Sequence, residues 1–280
     1  MPELPEVEIL ARHLKPRVVG RRIVSVRILR RRSLWNSTPA RFARALTGRR
    51  IVSLARRAKY LRLELADGTC FLAHLGMTGR LFTCPTLVGR REKHDVAHVS
   101  LERCALVFHD PRKFGHLELG DAALRKLGPE PLGVKFTVAY LAAQLERSRS
   151  PVKPRLLDQR IVVGLGNIYA CEALWKARID PRTPCRALGP RRVAGLHAAI
   201  VRTLREAIRF GGGLSMNMSS GGIRDGLFYY GSGQRRDNPS EHFAVYDREG
   251  KPCNRCRKPI ARIVQGGRST FYCPRCQSAA

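Results

Sequence analysis

Acidic residues are scarce in this chain. Its 280 residues carry 22 Asp and Glu against 52 Lys and Arg, a formal net charge of +30. A folded chain with that excess repels itself, so the imbalance points to a polyanionic partner, and nucleic acid fits best. A membrane surface is the rival partner, but basic membrane binders gather their charge on one amphipathic helix. Here the cations recur from Arg12 to Arg275. Missing too is any run of about 18 apolar residues, which excludes a membrane-spanning helix. The opening Met1-Pro2-Glu3-Leu4-Pro5-Glu6 is acidic and proline-rich, the reverse of a signal peptide. A cytoplasmic protein with no membrane partner is expected. Internal repeats are lacking as well. With 44% hydrophobic residues, the chain has the material for packed cores and is not of disordered composition.

Cysteine is plentiful at nine, but unevenly spread. Cys70, Cys84, Cys104, Cys171 and Cys185 are scattered and read as reduced thiols. The other four make the pattern Cys253-x2-Cys256-x16-Cys273-x2-Cys276. Two close thiolate pairs form a closed tetrahedral site for one zinc ion, structural because no coordination position stays open. Strand character from Ile260 to Val264 and from Thr270 to Tyr272, around a Gly266-Gly267 turn, makes this a zinc-ribbon hairpin. Arg268 sits at its tip near Arg262 and Arg275, a cationic finger for a phosphate.

Periodicity organises the rest. Val7, Leu10, Ala11 and Leu14 form a helical stripe from about Pro5 to Lys15, with Pro5, Glu6 and Glu8 suited to its first turn. Residues 2 and 3 therefore sit just ahead of a helix N-terminus. From Arg21 to Leu119 the pattern is mostly β: Leu61, Leu63 and Leu65 alternate with polar residues, Asp67-Gly68 turns, and Thr69 to Leu75 returns. A second hairpin is expected from His98 to His109, a strand from Phe114 to Leu119, and a polar loop from Cys84 to Lys93. Beyond Gly120 the period turns helical: Thr137 to Arg147, a short helix over Pro154 to Gln159, Ile168 to Lys176, and a long helix bearing Val193, Leu196, Ile200, Leu204 and Ile208. Gly211-Gly212-Gly213 ends it. Residues 211 to 241 are Gly- and Ser-rich.

Three basic turns carry further chemistry. Arg56-Arg57-Ala58-Lys59-Tyr60 opens a strand, Asp110-Pro111-Arg112-Lys113-Phe114-Gly115 turns with an aromatic at its tip, and His74-Leu75-Gly76-Met77 ends a hairpin. Met, Arg and Phe on loops of a basic protein are suited to wedging into a base stack. Gly164-x-Gly166-Asn167 is not a dinucleotide fingerprint, because it follows helix and Tyr169 holds the third glycine position. It reads as a turn between helices that offers N–H groups and the Asn167 amide to phosphate.

These motifs, with Met1-Pro-Glu-Leu-Pro-Glu-Val-Glu at one end and Leu127-Gly-Pro-Glu-Pro-Leu in the middle, occur in an order that resembles bacterial formamidopyrimidine-DNA glycosylases over nearly the whole chain. The resemblance implies an α+β, two-lobed fold. Residues 1–120 would form an N-terminal antiparallel β-sandwich with flanking helices. Residues 121–241 would form a helical helix-two-turn-helix domain with a lesion-sensing loop, and residues 242–280 the four-cysteine zinc ribbon. Damaged double-stranded DNA would be the partner of a monomer. The implied activity is base excision of oxidised purines, 8-oxoguanine and formamidopyrimidines, followed by strand cleavage as an AP lyase. Pro2 would be the nucleophile, Glu3 the acid/base, Lys59 a proton donor, and Arg268 the phosphate holder with a part in δ-elimination. Met77, Arg112 and Phe114 would fill the hole left by a flipped base. His74, His94, Lys113, Lys153 and Asn167 would be further DNA contacts, with Lys153 near the base pocket. Lys113 departs from the family, which often has Arg there, and loses bidentate geometry.

Three other readings compete. A sister endonuclease VIII-type enzyme for oxidised pyrimidines shares Pro2, Glu3 and zinc, but Leu4 and the Met77, Arg112, Phe114 trio favour the purine enzyme. A non-catalytic DNA binder on this scaffold predicts loss of Pro2, Glu3 or Lys59, and all are present. A zinc-ribbon structural subunit of a ribosome or polymerase leaves the N-terminal constellation unexplained.

Overall fold

The computed structural model describes residues 2–88, 93–212 and 243–278. Met1, and the expected lesion-sensing loop beyond Gly212, lie outside the described residues. Two compact units divide the chain: Met1–Arg125 with Phe210–Tyr229, and Lys126–Arg209 with Tyr230–Ala280.

The first unit opens with helix α1 (Leu4–Val18). Its apolar stripe is buried at Val7, Leu10 and Leu14. Sequence periodicity ends the helix at Lys15, yet it runs on through Pro16. Proline costs the last turn one N–H, but fully buried Val18 holds that turn in place, and Val19 N–H closes it on Lys15 O at 3.0 Å. Strand β1 (Ile23–Ile28), the short β2 (Leu34–Trp35) and helix α2 (Pro39–Leu46) follow. Helix α2 interrupts the stretch expected to be mostly β. Its signal is Thr38, whose side chain caps the helix by accepting from Arg41 N–H, with Pro39 just behind it.

Seven strands complete the unit: β3 (Ile51–Arg57), β4 (Tyr60–Leu65), β5 (Cys70–His74), β6 (Arg80–Cys84), β7 (Asp95–Leu101), β8 (Ala105–His109) and β9 (His116–Leu119). They form a four-stranded sheet, β1-β7-β8-β6, and a five-stranded sheet, β2-β9-β5-β4-β3. Every pairing is antiparallel except β2 with β9. Leu61, Leu63 and Leu65 point inward as the alternation requires. One continuous core joins side chains of both sheets with those of α1 and α2, which makes the sheets a sandwich.

In the second unit lie α3 (Val138–Glu146), α4 (Val152–Leu156), α5 (Asn167–Lys176), α6 (Pro190–Gly212) and the hairpin β10 (Ala261–Gln265) and β11 (Arg268–Tyr272). Helix α4 begins two residues ahead of the expected Pro154. The first turn of a helix needs no N–H bonds, so proline is tolerated at its third position as well as its first. Hairpin and helices share a core: Cys171 of α5 packs with Val245, Ile260 and Phe271. The chain entering the hairpin is anchored by buried Glu172, whose carboxylate accepts N–H bonds from Ala244, Val245 and Tyr246 at 2.8–2.9 Å.

Candidate functional site

Pro2 and Glu3 are buried at the start of α1. Glu3 is its N-cap residue and forms a reciprocal capping box with Glu6, Glu3 N–H donating to Glu6 Oε2 at 2.8 Å. Its carboxylate, 1% exposed, thus lies against the positive end of the helix dipole. Glu8 on the same helix pairs with Arg12 and with Arg56 of β3, each at 2.9 Å. Burial alone would raise the Glu8 carboxyl, but the two guanidiniums outweigh it and hold it below its ordinary value. Arg56, part of the predicted basic turn, thereby ties β3 to α1.

Lys59 follows Ala58 in the two-residue turn between β3 and β4, where Arg57 pairs with Tyr60. Ala58 has φ +54°, a left-handed conformation that costs a non-glycine residue about 1–2 kcal/mol. Strain of this kind concentrates at functional turns. Lys59 is only 8% exposed.

Beside it a row of rings crosses the five-stranded sheet. Register places Tyr60 opposite His74, and His74 opposite His116. The His74 ring lies 4.7 Å from Tyr60 and stacks on His116 at 5.0 Å, and His116 stacks on Trp35 at 3.4 Å, the planes nearly parallel at 6°. His74 Nδ1 accepts Gly76 N–H at 3.2 Å, and His116 Nε2 meets Glu118 Oε1 at 3.0 Å. Burial, and then the Lys59 charge, bring His74 down to about 4; burial and His74 bring His116 down to about 3. Burial also raises the Glu118 carboxyl. At neutral pH both imidazoles are therefore uncharged. With Nδ1 accepting, the His74 proton sits on Nε2.

Met77, Arg112 and Phe114 are brought together on two adjacent loops. Buried Asp110 fastens them: Oδ1 accepts from the Thr78 hydroxyl at 2.7 Å and Arg112 N–H at 3.2 Å, and Oδ2 from Gly115 N–H at 2.7 Å. A Cβ on Gly76 would lie 2.5 Å from the backbone of Phe114 and Gly115, so only glycine permits this approach. Met77 and Phe114 stay 39% and 54% exposed, and the Arg112 guanidinium lies 5.0 Å over the Phe114 ring. Lys113 takes a positive φ of +62° at the tip. His94 stands elsewhere, in the turn that leads into β7 of the four-stranded sheet. Its ring meets His109 edge-on at 5.8 Å, and Asp95 bridges His98 and His109 at 2.6 and 2.9 Å.

The second unit carries Lys153, Asn167 and Arg268. Gln159 shapes the turn ahead of α5, accepting Gly164 N–H and donating to Leu165 O, each at 2.8 Å. Gly166 then caps the helix. Lys153, 1% exposed, donates to Asn167 Oδ1 at 2.6 Å, Thr270 Oγ1 at 2.6 Å and Ser269 O at 3.2 Å. Asn167 Nδ2 donates to Ser269 O at 2.8 Å. Both were expected among direct DNA contacts. The structure turns them to each other and to β11, where they fix the strand that begins with exposed Arg268. The periodic sequence held no sign of this, because the partners are about 100 residues apart.

The four ribbon cysteines fit a metal. Their sulfurs lie within 4.8 Å of one another, with Cys256 and Cys273 at 3.4 Å and Cys253 and Cys276 at 3.9 Å. Burial pushes the Cys253 thiol up, but N–H groups of Arg255, Cys256 and Trp175 outweigh it and bring it down to about 6. Burial and the neighbouring sulfurs push Cys276 up to about 12. Four thiols this close ionise together only around a cation, and the set is that of a closed structural zinc site.

Comparison with known proteins agrees with this geometry. Residues 1–117 match the Formamidopyrimidine-DNA glycosylase N-terminal domain, residues 127–219 the Formamidopyrimidine-DNA glycosylase H2TH domain, and residues 250–279 a zinc finger found in FPG and IleRS. A formamidopyrimidine-DNA glycosylase of Chloroflexus aurantiacus is 45% identical, covering 99% of this chain and 98% of the relative. The Lactococcus lactis formamidopyrimidine-DNA glycosylase bound to AP-site DNA superposes with a TM-score of 0.84 at 34% identity, covering 98% of this chain and 99% of that one. MutM in complex with DNA containing carbocyclic 8-oxo-G gives 0.85 at 35% identity, covering 99% of each chain.

Proposed function

The chain belongs to the formamidopyrimidine-DNA glycosylase family, and from that premise we propose that it excises oxidised purines from damaged DNA and then cuts the strand as an AP lyase. The observation that carries this reading is the buried carboxylate of Glu3 capping α1 directly after Pro2. Once Met1 is removed, Pro2 offers a secondary amine. An α-amino group has a pKa of about 8, so a useful fraction is unprotonated near neutral pH.

In the proposed reaction the Pro2 nitrogen attacks the sugar C1′, and the C1′–base bond breaks with its electron pair leaving on the base. Glu3 handles protons at the sugar, and Lys59 supplies one nearby. Pro2 sheds its N–H proton and the C1′–O4′ bond then opens, its electron pair going to O4′, where a proton is taken up. The iminium so formed between Pro2 and C1′ acidifies the C2′ proton. Loss of that proton expels the 3′ phosphate oxygen, and a second elimination expels the 5′ one. Met77, Arg112 and Phe114 occupy the space of the flipped nucleotide. His74 donates its neutral Nε2–H to a phosphate oxygen, and Arg268 grips another. The zinc ion, held by Cys253, Cys256, Cys273 and Cys276, supplies folding energy to the ribbon and takes no part in the chemistry.

Incubation with duplexes carrying 8-oxoguanine or 5-hydroxyuracil tests the substrate. Faster excision and β,δ-cleavage on the purine lesion are expected; cleavage of the pyrimidine duplex alone would move the assignment to the endonuclease VIII type. A cytoplasmic monomer belongs to the same proposal, and light scattering after size exclusion checks the oligomeric part.

A further inference from the structure

We propose that His116 is a positioning residue for His74: clamped between Trp35 and His74 and tied by Glu118, it holds the His74 ring so that Nδ1 stays on Gly76 and Nε2–H remains the donor for a DNA phosphate. The inference rests on the DNA-repair reading above and adds a residue to it.

Four observations carry it. Cross-strand register brings Tyr60, His74 and His116 level on neighbouring strands, so the row follows from backbone pairing and not from a chance rotamer. His116 has flat partners on both faces, Trp35 at 3.4 Å and His74 at 5.0 Å. Its edge is fixed by Glu118, so the ring can neither slide nor spin. Plain core filling is a poor account of this residue. It is buried beside a buried carboxylate, its Nδ1 has no hydrogen-bond partner among the described residues, and Trp35 at the end of the row is 51% exposed. An apolar side chain would fill such a place without stranding a ring nitrogen.

Among the described residues His74 has one hydrogen bond, from the Gly76 backbone, at a long 3.2 Å. That bond alone leaves the ring free to rotate about it. Stacking on a fixed His116 removes that freedom, so the donor direction is set before DNA arrives.

The test compares wild type, His116→Phe, His116→Ala, His74→Ala and the His74→Ala/His116→Ala double variant. Dissociation constants are measured on a duplex with an uncleavable tetrahydrofuran abasic site, beside single-turnover excision at saturating 8-oxoguanine duplex. His116→Ala is expected to weaken binding about tenfold, the size of one hydrogen bond to a charged group, with the saturated rate little changed. His116→Phe keeps the stack but loses the Glu118 tie, and is expected to restore most of the binding that His116→Ala loses. The double variant is expected to bind no worse than His74→Ala alone, because coupled residues do not add. Losses that multiply in the double variant would overturn the proposal. So would wild-type binding by His116→Ala, or equal losses in the Phe and Ala variants with a matching fall in Tm. If His116→Ala does not fold, His116→Leu against His116→Phe makes the same comparison at similar volume. Absence of excision by the wild-type protein would strike the repair reading, while the binding cycle would still decide the role of His116.

Discussion

The reactive end of the first unit and the finger of the second are built on opposite plans. In the first unit the proposed working groups are buried or half-buried: Glu3 caps a helix, Lys59 sits in a strained turn, and His74 is held in a row of rings. At the ribbon the proposed working group, Arg268, is exposed, and its support is a buried lysine ammonium bonded to Asn167, Ser269 and Thr270 and a cluster of four buried or half-buried cysteines. The contrast fits the proposed tasks. Chemistry on a sugar needs groups desolvated and aligned before the substrate arrives. Gripping a phosphate needs a cation that can reach out, on a base that does not give.

If that division holds, damage to each region has its own signature. The largest effect is expected at the reactive end. Pro2→Gly changes the nucleophilic amine and is expected to lose most excision and covalent trapping, and Glu3→Gln to lose about 10²–10⁴-fold in excision rate. Both variants are expected to keep their zinc and to bind duplex DNA. Failure to bind would erase the separation between the two regions.

Next comes the ribbon. Cys273→Ser removes a ligand from a site whose metal contributes on the order of 10 kcal/mol to folding, so zinc content and DNA affinity are expected to fall together. Unchanged metal content would refute the ribbon. Smaller is Lys153→Met, which strands the acceptors of Asn167 and Thr270 and is expected to cost about 1–3 kcal/mol of stability, read from the urea midpoint. A lysine that only touched DNA would lose affinity and no stability.

The smallest effect is a pH slope that belongs to the ring row. His74 and His116 stand at about 4 and about 3 against an ordinary 6.5. Below about 6.5 the unfolded chain takes up protons that the folded rings refuse, so stability falls as the pH drops from 6.5 towards 3 and is flat above it. His116→Phe is expected to flatten part of that slope in urea melts between pH 7 and pH 4.5. An unchanged slope would mean that His116 is already charged in the folded state.

Legibility differed in the same way. Signals local in sequence could be read: the α1 stripe, the Leu61 alternation, the cysteine spacing, and the two turns that carry Met77 and the Arg112–Phe114 pair. Helix α2 was written in Thr38-Pro39 but lay hidden among strand-like neighbours. What could not be read depended on partners far apart in the chain. Asp110 looks like an ordinary turn aspartate until Thr78 is beside it, His116 like a strand residue until Trp35 and His74 flank it, and Lys153 like a solvent-facing lysine until β11 covers it. Spacing along the chain carries no trace of such meetings.

The claim that Pro2 carries the chemistry is tested most directly by borohydride reduction during turnover of an 8-oxoguanine:cytosine duplex, followed by mass mapping of the adduct. A covalent adduct on the Pro2 nitrogen is the predicted result. An adduct on Lys59, or none from a zinc-loaded protein shown to have lost Met1, would contradict it.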